Sequence, residues 1–173
     1  EILNNSLTRI SYYTNLNSYP VDHAVKIMNP LGAELSVMRQ TLLFGGLESI
    51  ARNRNHRRTN LKFYEFGACY HYDSHKAGGE KPLAAYSEEF HLGVWMCGNR
   101  GEISWTDSER KVSFYDLKGH IINCLTRLGI QAGQYTLQPY ESDIYTQAIA
   151  CVTRGGKLLA HLGIVNKKLL KAF

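Results

Sequence analysis

MNPLGAELSVMRQTLLFGGLESIARNRN, residues 28–55, decides how the rest of this 173-residue chain is read. Asn29-Pro30 removes a backbone donor and biases Asn29 away from the right-handed helical region, and Gly32 frees the next turn. The apolar run before it must therefore stop, and the stretch reads as the end of a strand, a tight polar connection, an extended crossing and then a helix. Leu35, Val37, Met38, Leu42, Leu43 and Phe44 surround one cation, Arg39, and two hydrogen-bonding side chains, Gln40 and Thr41. A guanidinium among that much hydrocarbon needs acceptors for its donors. Either it belongs to a structural ion pair or it faces a ligand pocket, and spacing leaves both open.

Upstream, Glu1 to Arg9 alternates apolar and polar residues and predicts a strand with one buried face, Ile10 to Pro20 an irregular loop, and Ala24 to Met28 a second strand. Apolar positions 47, 50 and 51 predict a helix from Leu47 to about Asn55–Arg58, with Gly45 and Gly46 weakening its start. Leu61 to Tyr72, LKFYEFGACYHY, is the strongest strand signal and long enough to be central. Asp73 to Ser87, with Gly78, Gly79 and Pro82, predicts a mobile connection to a returning antiparallel strand, Phe90 to Cys97. Asn99 to Lys111 is polar, with Ile103 and Trp105 as its expected anchors. Asp116 to Leu128 carries a helical stripe at 117, 121, 122, 125 and 128, capped by Asp116 and ended by Gly129. Tyr135 to Leu137, Ala148 to Thr153 and Lys157 to Val165 predict further strands with a Gly155-Gly156 turn, and Asn166 begins a last helix. Mainly antiparallel strands with two or three helices make an α+β fold rather than an alternating βαβ one.

A chain of this length fits one domain and can bury about 70% of its unfolded surface, so neither disulfides nor a metal is needed for stability. No apolar run approaches the roughly 20 residues of a membrane span, and no basic-apolar leader opens the chain. It begins at Glu1 and ends at Phe173 without a polar tail, as expected of a segment cut from a longer protein. Cys69, Cys97, Cys124 and Cys151 are far apart in apolar runs with no CxxC pair, the pattern of reduced core thiols in a cytosolic protein. His71 and His75 lack a helix that would hold them on one face as metal ligands, so no metal is assigned.

The net charge of +5 is unevenly placed: Arg52, Arg54, His56, Arg57 and Arg58 lie within seven residues, and Lys167, Lys168 and Lys171 crowd the end. Cations gather at helix C-termini, where dipole and carbonyls favour them. The functional alternative is contact with nucleic-acid phosphates. The chain has no GxSxG, Walker loop, GxGxxG or HExxH string. Glu65 is the one acid inside an apolar strand, where a structural partner is the usual explanation.

NPLGAELSVMRQTLLFGGLE, then N-x-N, then KFYEFGACY, then FYDLKGHIINCLTRLGI, in that order, resemble the β subunit of bacterial phenylalanine-tRNA ligase in its core catalytic-like domain. EILNNSLT is similar to that family's entry strand, and HLGIVNKKLLKAF continues the likeness more weakly. One departure is that Phe44 precedes Gly45, where the family usually has proline then glycine after the two leucines.

The resemblance implies a class II synthetase-like antiparallel sheet flanked by helices, in one domain over residues 1–173. It implies a domain that does no chemistry and packs on the catalytic α subunit of a cytoplasmic heterotetramer. ATP and magnesium serve the parent enzyme, which joins phenylalanine to tRNA(Phe); none is assigned to this segment. In active class II members the second signature motif places an arginine after an aromatic residue near a central strand's end, and an acid two positions later. The arginine clamps the ATP α-phosphate by bidentate, permanently charged contact. GACYHYD, residues 67–73, puts Tyr70 at the aromatic position and Asp73 at the acid, but His71 where the arginine belongs. Neutral histidine cannot reproduce that clamp at pH 7. Arg39 in MRQT resembles the arginine of the leucine-arginine-threonine segment before this motif, and in an inactive copy it is expected to pair with Glu65 or Glu34. The third signature motif would lie beyond Phe173. Two other readings remain: an active class II ligase-like enzyme that turns Arg39 to the phosphates, and a tRNA-binding module using Arg52, Arg54, Arg57 and Arg58. An isolated segment with its interface exposed is expected to self-associate.

Overall fold

The computed structural model describes residues 1–78, 81, 83–101, 105 and 109–173. Two compact units share the chain, Glu1–Arg58 with Lys62–Trp95, and Thr59–Leu61 with Met96–Phe173. The architecture is α+β. Among the described residues the strands form two two-stranded ladders and one of three rather than a continuous sheet.

In the first unit the sequence-predicted entry strand shrinks to β1 (Leu7–Thr8), which pairs antiparallel with β2 (Val37–Met38). Residues before β1 form no ladder because their polar groups are drawn elsewhere: the Ile2 N–H donates to Tyr64 O at 2.9 Å, and Asn4 turns its side chain to Glu65. Ala24 to Met28 likewise contributes only a single bridge, Lys26 to Val37. The helix α1 (Leu43–Asn55) starts four residues before Leu47. Its two glycines serve close packing rather than weakness: a Cβ on Gly46 would stand 2.1 Å from the Trp95 ring, and one on Gly45 would stand 2.9 Å from Asn4 Cβ. Thr41 Oγ1 accepts the Leu43 N–H at 3.2 Å and satisfies one donor of the first turn.

The strand β3 (Leu61–Tyr72) has the span expected of it and pairs with β4 (Tyr86–Cys97). Leu42, Cys69 and Trp95 form a buried cluster packed by Ile2, Leu43, Ile50 and Phe63. Phe44 is 1% exposed; its ring stacks on Tyr12 with centroids 5.0 Å apart and meets Tyr13 edge-on at 5.3 Å.

In the second unit α2 (Phe114–Arg127) is capped by Ser113, not by Asp116. Asp116 sits three residues on and closes the cap from inside, its carboxylate accepting from the Ser113 N–H at 2.9 Å and hydroxyl at 2.6 Å. Gly129, at φ 84°, ends the helix. The strands β5 (Tyr135–Pro139), β6 (Tyr145–Thr153) and β7 (Leu158–Val165) form an antiparallel sheet, with Gly156 at φ 80° in the β6–β7 turn. Leu125 of α2 packs with Tyr135, Cys151 and Leu162, flanked by Phe114, Leu117 and Ile121. Each such side chain stabilises by about 1.5–3 kcal/mol when fully buried. A short α3 (Lys167–Leu170) follows, capped by Asn166. Trp105 is 98% exposed and anchors nothing, and Ile103 lies outside the described residues. Among the described residues no helix is long and apolar enough to cross a membrane.

Candidate functional site

The polar residues of the opening stretch converge inside the first unit. Arg39 leaves β2 with its N–H bonded to Ser6 O at 2.8 Å, and its carbonyl accepts the Tyr70 N–H of β3 at 2.9 Å. That backbone link sets the guanidinium against β3. Nε donates to Ala68 O at 2.9 Å, and Nη1 donates to Glu65 Oε1 at 2.7 Å and to Asn4 O at 3.3 Å. The two side chains are 8% and 1% exposed. Gly67 gives the guanidinium its room, since a Cβ there would stand 2.2 Å from Nη2. Asn4 completes the carboxylate's shell, donating from its backbone at 3.2 Å and from Nδ2 at 2.6 Å, and its Oδ1 accepts from Ser49 of α1 at 2.8 Å. Both ions are therefore desolvated and well supplied with partners, the condition under which a buried pair is tolerated. Glu34, the other sequence candidate for Arg39, pairs with Arg9 at 3.0 Å on the surface.

Next to this centre, the Gln40 N–H donates to the Tyr13 hydroxyl at 3.0 Å and its Nε2 donates to Pro20 O at 3.0 Å. Burial drives the Tyr13 phenol upward and pushes the Cys69 thiol up to about 11, so neither ionises near neutrality. A cleft of about 200 Å³ opens beside the network, lined among others by Asn4, Thr8, Arg39, Thr41, Glu48 and Arg52. Glu48 does not neutralise Arg52 one turn above it. Its carboxylate accepts instead from the Tyr12 hydroxyl, whose pKa burial and this bond raise to about 12.

His71 lies half-buried near the end of β3. Burial lowers its pKa; Glu89 opposes that effect, and His91 and His23 add to it. Asp73 is engaged locally: it caps the single 3-10 turn Ser74–Lys76, accepting the His75 N–H at 3.0 Å and pairing with Lys76 at 3.1 Å. Burial thus favours the neutral His71 ring at this end of β3. His71 and His75 join no group of three or more metal-type ligands among the described residues.

Arg52, Arg54, Arg57 and Arg58 are exposed at and beyond the α1 C-terminus, and among the described residues no carboxylate pairs with them. The strands β3 and β4 also leave large apolar side chains uncovered. Tyr64 and Phe66 alternate with buried Glu65 and are 43% and 62% exposed; Phe90 and Leu92 are 81% and 40% exposed. Sequence reasoning missed Asn4, because an asparagine in an extended lead-in has no periodic signature. It also missed the uncovered aromatics, because alternation says that a face is polar or apolar but not whether it is covered.

All of residues 1–173 match the family model described as the phenylalanyl tRNA synthetase beta chain CLM domain. The chain is 51% identical over all 173 residues to a phenylalanine-tRNA ligase beta subunit of Bacteroides fragilis, 50% to that of Bacteroides thetaiotaomicron and 47% to that of Porphyromonas gingivalis. In each case it spans 21% of the relative's length. With its whole length matched in this way, the chain belongs to the phenylalanyl-tRNA synthetase beta chain CLM domain family.

Proposed function

We propose that the chain is a non-catalytic, class II synthetase-like domain, residues 1–173, of a phenylalanine-tRNA ligase beta subunit. It supports ATP-dependent attachment of phenylalanine to tRNA(Phe) by packing on a catalytic alpha subunit in a cytoplasmic heterotetramer, where ATP and magnesium belong to the partner's site. The observation that carries this reading is the Arg39–Glu65 pair: the arginine on the approach to β3 spends its fork on Glu65, Ala68 and Asn4, inside the protein. A guanidinium so committed cannot also clamp a phosphate without leaving Glu65 buried and unpaired. His71, the residue at the clamp position, offers no permanent charge to replace it. The uncovered Tyr64–Phe66 and Phe90–Leu92 stripes supply apolar surface of the kind subunit cores use, and the relatives' name, beta subunit, supplies the partner.

The test uses the full-length beta subunit, alone and with its catalytic partner. Phenylalanine-dependent pyrophosphate exchange is expected only with the partner present, and Phe66→Asp with Phe90→Asp is expected to abolish co-purification of the two subunits. Exchange by the beta subunit alone would refute the non-catalytic reading, and undiminished co-purification would refute the docking one.

A further inference from the structure

The helices α1 and α2 end with the same backbone arrangement but different residues. At the end of α2, Gly129 donates to Thr126 O at 3.0 Å and Ile130 donates to Leu125 O at 2.9 Å, with Gly129 in the left-handed region. At the end of α1, Arg57 donates to Arg54 O at 2.8 Å and Arg58 donates to Asn53 O at 3.0 Å, and Arg57 holds φ 61°. This is the Schellman closure, whose left-handed position glycine occupies without steric cost. Among the described residues Arg57 is the one non-glycine with positive φ; Gly78, Gly98, Gly129 and Gly156 fill the others. Backbone conformation alone favours glycine at residue 57, so the arginine is explained by what its side chain does.

Capping is not that role. The closure already satisfies the carbonyls of Asn53 and Arg54, and Arg57 and Arg58 lie past the last turn, where the dipole's pull has faded. Nor is a salt bridge: of the two carboxylates that flank it in sequence, Glu48 accepts from Tyr12 and Glu65 pairs with Arg39. What remains is a set of exposed guanidinium forks on Arg52, Arg54, Arg57 and Arg58 that no carboxylate among the described residues occupies, in a chain whose net charge is only +5. We infer that this helix end is a contact site for the phosphate backbone of RNA, with the left-handed turn aiming Arg57 and Arg58 beyond the helix. Guanidinium forks match phosphate oxygens in pairs and carry no base information, so the site adds affinity and register rather than sequence choice. RNA as the ligand rests on the reading of the chain as part of a tRNA ligase.

The experiment uses the full-length beta subunit assembled with its catalytic partner and a transcribed tRNA(Phe) as probe, with affinity measured between 50 and 300 mM KCl (a range of roughly the span over which phosphate contacts weaken). Arg54→Gln with Arg57→Gly and Arg58→Gln is expected to weaken binding about tenfold or more at low salt and to flatten the salt slope by about one per arginine in phosphate contact. Arg57→Gly alone separates function from folding: it is expected to raise the melting temperature while weakening tRNA binding a few-fold. Unchanged affinity and slope in the triple variant, with the complex intact, would overturn the site. Loss of subunit association with unchanged tRNA binding would also overturn it, and would assign the patch to an acidic protein surface. Assembly is scored separately through the Phe66 and Phe90 variants, so failure of the docking reading leaves this result interpretable.

Discussion

Replacing Glu65 by glutamine changes charge with little change in shape, and the surroundings allow its cost to be apportioned. The carboxylate accepts from Arg39 Nη1 at 2.7 Å, Asn4 N at 3.2 Å and Asn4 Nδ2 at 2.6 Å. A glutamine oxygen placed toward Arg39 keeps the first two bonds. Its amide then faces Asn4, which can turn over, because the Ser49 hydroxyl that donates to Asn4 Oδ1 at 2.8 Å can equally accept. Hydrogen bonding is thus largely recoverable, and the remaining cost is a guanidinium left uncompensated at 8% exposure, worth about 3–5 kcal/mol. Arg39→Met has a similar expected cost, since it strands the carboxylate and frees the carbonyls of Ala68 and Asn4. The double variant removes both charges, so its cost falls short of the sum by about 2–3 kcal/mol. Urea unfolding followed by Trp95 fluorescence in a Trp105→Phe background reads the first unit directly, because Trp95 is 7% exposed in the same cluster as Cys69. Screening does not reach a buried pair, so the coupling is expected to persist in about 0.5 M salt. A Glu65→Gln cost under about 1 kcal/mol, or additive single variants, would refute the reasoning.

Two pH effects follow from the directions of the pKa shifts. His71 titrates lower in the folded protein than in the unfolded chain, chiefly through burial, so the unfolded state takes the proton first. Stability is therefore present above the ordinary histidine value of about 6.5 and is lost as pH falls from there toward the folded value. His71→Gln is expected to flatten that limb in unfolding curves between pH 7 and 5, a window of about the ordinary histidine range, and an unaltered limb would exclude the residue as its source. Asp116 is also lowered, first by the Ser113 hydroxyl, then by the Ser113 N–H, with Arg110 and Arg100 assisting. Its contribution is present above the ordinary carboxylate value and lost as pH falls through the folded one, so Asp116→Asn should remove part of the acid-induced loss of helix below about pH 4. Circular dichroism that follows the same acid curve in both proteins would contradict this.

The elements legible in the sequence are those whose partners lie close along the chain or on a regular stripe. The aromatic alternation of residues 61–72 gives β3 its span, and the stripe gives α2 through Leu117, Ile121 and Leu125, which meet hydrocarbon, whereas Leu128 at its end is 74% exposed. Glu1 to Arg9 shows the same alternation but makes only β1: whether an alternating segment joins a ladder depends on a neighbouring edge, and here Glu65 and Tyr64 take its polar groups instead. Gly45 and Gly46 read as weakening the helix's start since propensity is local, whereas their use, admitting Asn4 and the Trp95 ring, is tertiary. Of the polar centre, the apolar neighbours of Arg39 announce that it needs an acceptor, and the choice of Glu65 over Glu34 rests on the register of β3 against residue 39.

That register links the buried pair to the uncovered surface. A strand's side chains alternate faces, so a slip of β3 by one residue would turn Glu65 outward and drive Tyr64 or Phe66 against the Arg39 guanidinium. The slipped arrangement leaves a desolvated cation facing a ring, at a cost comparable to breaking the pair, and it exposes the acid where the aromatics stood. Arg39 reads β3 at three points, accepting the Tyr70 N–H at 2.9 Å and donating to Ala68 O at 2.9 Å and to Glu65 at 2.7 Å. A shift that satisfied one would break the others. On the proposed function, the pair that keeps this domain from clamping a nucleotide is also what holds Tyr64 and Phe66 outward, in the alternation a partner subunit would meet.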